Sequence, residues 1–234
     1  MKKAHLFRSM LMLAFLSCLA CTFANAESGE WERRFSQDGL SVYTKHIEGA
    51  PIKSFRAEMI AEAPFQLVMS VLEDVQHYPD WFHLCRSYEV LQGSMKEGEY
   101  IGYYVVEAPW PLKDRDVYVK NRMSQDPETQ TVTILTDAVP DFMPVKEEFT
   151  RVPEVYGRWT VRPVDSEHTY VEFIGHGHPG GIIPLWVANL VVTDVPKKTF
   201  ENLRSLFEKR LANQTGMNER AVSFQTIELT RSPH

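Results

Sequence analysis

"PLWVANLVVTDVPKKTFENLRSLFEKRL" (residues 184–211) carries a period unlike anything before it in the chain. Trp186, Leu190, Thr193, Phe200, Leu203 and Phe207 recur at intervals of three, four and seven residues. That is the spacing of an α-helix with one apolar face. Pro196 lacks a backbone donor and predicts a kink in it. A helix of this length has to lay its apolar stripe against something. The segments before it decide what that is.

Those segments read mostly as strands. Residues 39–47 and 52–61 alternate and are joined through Glu48-Gly49-Ala50-Pro51, the pattern of two antiparallel strands. Residues 64–78 read instead as a helix, with Pro64 in its first turn and Phe65, Val68, Leu72 and Val75 at helical spacing. Pro79 is expected to end it. Strands are then expected near 84–92, 99–107, 114–124, 130–138, 155–164 and 168–177, with Gly, Pro, Asp and Asn at many joints. The polar stretch after Ala212 (213–234) reads as a loosely ordered tail.

The order is two strands, a short helix, about six strands and a long helix, and every strand can pair antiparallel. A sheet of this size curls, and its concave apolar face needs a cover. Only the last helix is long enough. The fold class is therefore α+β, a curved antiparallel sheet around a C-terminal helix, with an elongated apolar cavity between them.

Alternation suggests what lines the cavity. On 114–124, Arg115, Val117, Val119, Asn121 and Met123 share one face. Asp116, Tyr118, Lys120 and Arg122 share the other, charged one, so the first set faces in. By the same logic Trp159 and Val161 face in on their strand, and Val171 and Phe173 on theirs. On 99–107 charge does not choose a face, and we take Ile101, Tyr103, Val105 and Glu107 as the inward set. From the last helix, Trp186, Asn189 and Thr193 are expected to meet Trp159, Val161 and Phe173 across the cavity, as a lid. The Trp81–Phe82 turn is a second route for a ligand. Within "EAPWPLKDRD" (107–116), Arg115 reads either as half of a local Arg–Asp pair or as a cationic fork that orients the polar head of an amphiphile.

His176 and His178, in "GHGHPGG" (175–181), raise the possibility of a metal. They fall on the parity of Tyr170 and Glu172, away from the inferred cavity. Two ligands roughly 6.6 Å apart on one strand still need a third, and Glu172 is roughly 13 Å away along it. A strand end followed by a turn is the expectation, with no metal and no cofactor. No G-x-S-x-G, Walker or H-E-x-x-H motif points to catalysis.

Three stretches carry a resemblance. "HYPDWFHLCRSYEVL" (77–91), "PWPLKDRDVYV" (109–119) and "HGHPGGIIPLWVANLV" (176–191) resemble segments of the START (steroidogenic acute regulatory protein-related lipid transfer) domain family, within the helix-grip superfamily. The likeness covers roughly residues 31–211. It implies a carrier or sensor of one hydrophobic lipid, such as a sterol, phospholipid or isoprenoid, and no catalytic residue. Some steroid carriers of the family keep an arginine and a carboxylate in the cavity. The resemblance places these at Asn121 and Glu107, so the ion pair is absent here. His178 stands where the family pattern more usually has aspartate. The alternative is a helix-grip enzyme of cyclase or hydrolase type, with Glu107 and Arg115 as its only acid–base candidates.

The first residues predict the compartment. Lys2, Lys3 and Arg8 precede an apolar run from Met10 to Ala20, and Ala24-Asn25-Ala26 offers a cleavage site before Glu27. We expect residues 1–26 to be a signal peptide, residues 27–212 one domain, and the protein to be periplasmic or secreted. A lipoprotein at Cys18 or Cys21 is the competing reading. Cleavage leaves Cys85 alone, so no internal disulfide holds the fold. The net charge of −6 argues against nucleic acid as a partner. A monomer with transient membrane contact is expected.

Overall fold

One ten-stranded sheet organises the fold, in a computed structural model that describes residues 30–230. The expected signal peptide lies outside the described residues. The strands are β1 (Glu32–Gln37), β2 (Leu40–Lys45), β3 (Ser54–Ala61), β4 (Cys85–Ser94), β5 (Glu99–Val106), β6 (Arg115–Gln125), β7 (Val132–Ala138), β8 (Thr150–Arg151), β9 (Glu154–Pro163) and β10 (Thr169–His178). Their spatial order is β1-β2-β3-β10-β9-β7-β6-β5-β4, with β8 beside β6. The helices are α1 (Phe65–Glu73), α2 (Tyr78–Trp81), α3 (Leu185–Asn189) and α4 (Val195–Thr230). A π-turn, Leu190–Asp194, joins the last two.

The sheet curls around α4. Phe200, Leu203 and Phe207 are buried in the main core, with Leu40, Val42, Met59, Val68, Leu72 and Val161. Each such side chain contributes about 1.5–3 kcal/mol on leaving water. Polar groups fix the helix at its start. The His83 N–H donates to Thr199 Oγ1 at 3.1 Å, and Asn202 Nδ2 donates to the Trp81 carbonyl at 3.1 Å. Both acceptors and donors belong to the α2 turn and the first turns of α4, so the turn and the helix hold each other.

Several expectations need correction. β1 and β8 went unforeseen, because one is exposed and the other is two residues long. β8 runs parallel to β6, so the sheet is not wholly antiparallel. Pro79 does not end α1; the break falls at Asp74, and Pro79 sits in the first turn of α2, where its missing N–H costs nothing. The backbone stays helical through Thr230, beyond the expected end at Ala212. An established helix propagates through a proline-free stretch more readily than a new one starts.

The outer face of β6 is also less solvated than its charges suggest. Asp116 is 0 % exposed. It accepts from Arg151 Nε at 3.0 Å and Nη2 at 2.9 Å. The same guanidinium donates to the Met143 carbonyl at 2.9 Å and lies 4.5 Å over the Tyr118 ring. Arg151 thereby straps the segment 139–151 across the sheet. Arg151→Ala leaves Asp116 buried and uncompensated. We expect a loss of about 3–5 kcal/mol in urea unfolding. A loss under about 1 kcal/mol would mean that Asp116 regains water and the strap is dispensable.

Candidate functional site

Inside the curved sheet the packing opens into two chambers that share Phe82, Tyr104, Val155 and Phe173, and α3 walls the outer one. The inner chamber has a free volume of about 60 Å³. Its inward strand positions carry Tyr88, Tyr100, Tyr104, Val119, Asn121, Thr136 and Trp159. The outer chamber is larger, with a free volume of about 200 Å³, and is partly open to solvent. Val106, Val117 and Val152 wall one side of it, and Ile183, Val187, Val191 and Val195 the other.

Polar groups of the inner chamber satisfy one another. Thr136 Oγ1 donates to Asn121 Oδ1 at 2.7 Å, Asn121 Nδ2 donates to Tyr88 Oη at 3.4 Å, and Tyr88 Oη donates to Tyr100 Oη at 3.3 Å. Tyr78 Oη donates to the Leu72 carbonyl at 2.8 Å. Burial lifts the pKa of Tyr78, Tyr88, Tyr100 and Tyr104 above the ordinary phenol value. Burial also pushes the Cys85 thiol up to about 12. The titratable groups on these walls are therefore uncharged at neutral pH.

The outer chamber differs in one respect. Arg115 lines it and is only 8 % exposed. Its Nη1 donates to the Lys113 carbonyl at 2.6 Å. The loop before it is fixed by Asp114, which accepts from the Ala108 N–H at 2.9 Å and from Arg86 at 2.9 Å. Burial, then nearby Lys198, depresses the pKa of His83 on the same chamber wall.

The structure sorts the expected site residues into three groups. Phe82, Glu107, Arg115, Val117, Val119, Asn121, Trp159 and Phe173 line a chamber. Trp81, Val161 and Val171 lie in the sealed core instead, with no more than 1 % exposure, because the sheet is tightly covered at that end. Tyr103, Trp186, Asn189 and Thr193 line neither chamber.

Tyr103 is a parity error. It pairs with Tyr118 on the outer face, whereas Tyr104 pairs with inward Val117. Gly102 was the available signal, since a glycine inside a strand marks a close approach. A Cβ there would sit 2.3 Å from Tyr88 Oη, so Gly102 and its face-mates Tyr100 and Tyr104 point in. On the helix, the π-turn adds a residue and rotates everything upstream. Val187, Val191 and Val195 face the chamber, while Trp186 is 53 % exposed.

His176 and His178 keep the outer parity, with His176 Nε2 at 3.5 Å from Glu154 and His178 Nδ1 accepting from the Gly180 N–H at 3.0 Å. They still reach the outer chamber's rim, because β3 stops pairing with β10 at Gly175. Among the described residues no three of His, Cys, Asp and Glu converge as a metal site.

A family model described as "START domain" matches residues 18–209. An uncharacterized protein of Pseudomonas aeruginosa is 30% identical over 205 residues, covering 87% of this chain and 100% of that protein. The phosphatidylcholine transfer protein of Bos taurus is 27% identical over 164 residues, 68% of this chain and 75% of its own. Among solved structures, a STAR-related lipid transfer protein fragment from Xanthomonas axonopodis superposes with a TM-score of 0.69 at 31% identity, covering 76% of this chain and 98% of that one.

Cys85 reports on the closure of the inner chamber. With its pKa near 12 against an ordinary 9.0, its thiolate is about a thousandfold scarcer at pH 8. Iodoacetamide labelling at pH 8, followed by peptide mapping, should be at least about a hundredfold slower in the folded protein than in urea. Equal rates would show the chamber wall open at Cys85.

Proposed function

The chain belongs to the START domain family, and from that premise we propose that it binds a single hydrophobic lipid in its adjacent chambers and carries it between membranes outside the cytoplasm. The family generally binds and transfers lipids. The observation that carries the reading is the pair of chambers, walled largely by aromatic and aliphatic side chains and adjacent across Phe82, Tyr104, Val155 and Phe173. Burying an alkyl chain there contributes about 0.8 kcal/mol per methylene, enough for micromolar affinity from binding alone. A relative named for phosphatidylcholine transfer supports a lipid as cargo, and the expected leader supports export.

The cavity acts as a container rather than a catalyst. Its inner polar groups are bonded to one another and hold no charge, and Glu107 stands exposed at the rim. A monomer suffices, since both chambers are built from one chain. Protein purified from its native host should carry about one lipid per chain in native mass spectrometry. The lipid should come back unaltered after incubation. A chemically changed product would favour the enzyme reading, and no lipid at all would overturn both.

A bound lipid has to leave through some wall, and apolar side chains stand free beside the outer chamber. Trp110 is 90 % exposed and Ile182 95 % exposed. Trp110 follows Ala108 by two residues, and Ile182 precedes Ile183; both neighbours line the chamber. Tryptophan and isoleucine at a mouth suit the boundary between headgroups and acyl chains. The loop and the α3 segment thus dock on a bilayer and open the lid there. The double variant Trp110→Ala, Ile182→Ala should slow vesicle-to-vesicle transfer about tenfold. The lipid stoichiometry should stay that of the parent protein. Transfer at the parent rate would place the docking surface elsewhere.

A further inference from the structure

We infer that the outer chamber selects an amphiphile whose head carries an acidic oxygen group, a carboxylate or a phosphate, and that Arg115 is the residue that binds it; this rests on the lipid-binding reading above. A guanidinium taken out of water costs several kcal/mol unless it is paired and hydrogen-bonded. Arg115 is 8 % exposed and lines an apolar chamber. Its one hydrogen bond among the described residues goes to the Lys113 carbonyl, a neutral acceptor. No salt bridge reaches it among those residues, so most of its five donors remain open.

The neighbouring charges are committed elsewhere. Asp114 is held by Arg86 at 2.9 Å and by the Ala108 N–H. Asp116 points to the opposite face and is held by Arg151. Glu154 lies at 3.5 Å from His176, and Lys53 at 3.2 Å from Glu32. Glu107 shares the chamber but is exposed to water. The buried charge that faces the ligand is thus a cation that feels Asp114 electrostatically but forms no ion pair among the described residues. Position adds to this. Arg115 opens β6, at the outer end of the inward row that continues through Val117 and Val119 to Asn121. A head held at Arg115 sends its chain past Val117 toward the uncharged inner chamber. A guanidinium fork matches two acidic oxygens at once, which a hydroxyl or ester head cannot supply.

The test uses two matched pairs, hexadecanoate against hexadecanol, and dihexadecanoyl phosphatidate against dihexadecanoylglycerol. Each competes with a fluorescent fatty-chain probe on the full chain at fixed salt and pH 7.5. We expect the acid of at least one pair to bind about tenfold or more tightly than its neutral partner, the worth of a charge-assisted hydrogen bond. The pair that shows the preference identifies carboxylate or phosphate as the source. Arg115→Gln should bring that ratio to within about threefold while the neutral member keeps its affinity, and Arg115→Lys should restore part of it. The comparison on the unaltered protein stands even if a variant fails to fold. Equal affinities in both pairs would overturn the inference and leave the lipid reading intact, as would a preference unchanged in Arg115→Gln. Failure of all four compounds to bind would overturn the lipid reading, and this inference with it.

Discussion

Trp159 is the contact on which the rest depends. Its ring stacks on Phe173, its cross-strand partner, with centroids 4.3 Å apart, and on Phe200 of α4 at 5.8 Å. Trp81 meets it edge-on at 6.1 Å. One side chain thus ties the central strand pair, the terminal helix and the α2 turn together. Aromatic pairs of this kind add about 0.5–1.5 kcal/mol each beyond their buried area. Trp159 also marks a boundary. On one side of it the inward positions are Val161 and Val171, each 0 % exposed. On the other side they are Gly157 and Gly175, paired across β9 and β10. Large side chains close the core at one end, and missing ones let it open at the other.

Those glycines are constrained as well as small. A Cβ on Gly175 would fall 2.3 Å from the Phe55 ring, and one on Gly157 would fall 3.2 Å from Thr136 Cβ. Phe55 therefore enters where a side chain on β10 would have stood, and it becomes a wall of the outer chamber. The cavity is not a packing failure. It follows from a sequence that withholds bulk at two paired positions and lets a neighbouring strand supply the wall.

How much could be read beforehand depended on whether one face of an element declared itself. β6 declared itself, because charges occupy alternate positions, so Arg115, Val117, Val119 and Asn121 were placed inward correctly by parity. β5 did not, because tyrosines stand at 100, 103 and 104 and either face looks apolar. Its parity is set by its register against β6, which is long-range information. The same holds for Asp116, which reads as a solvated charge until Arg151, 35 residues later, covers it. The inward face of the lid was misread for a local reason. Phe200, Leu203 and Phe207 form the buried stripe as their spacing requires. Upstream of Pro196 the Val195 N–H donates to the Leu190 carbonyl, five residues back. A proline ring crowds the carbonyl four residues before it, and widening that turn relieves the clash. The extra residue turns the helix by about 100° and exchanges Trp186 for Val187.

The sealed and open ends divide the work. At the sealed end, Val161, Val171, Phe200 and Leu203 are withdrawn from water whether or not anything is bound. Stability there does not wait for a ligand. At the open end, the valines of β5, β6 and the helix face one another across space instead of touching. Apolar walls without partner atoms forfeit dispersion contacts that a close-packed interior would have. A hydrophobic occupant restores those contacts, so binding and stability are linked through the same surfaces. The helix that closes this end is also the least regular part of the chain's cover, interrupted by a π-turn and a proline within seven residues of Asn189. Regular packing at one end holds the fold in register, and that leaves the irregular end free to move without unfolding the rest.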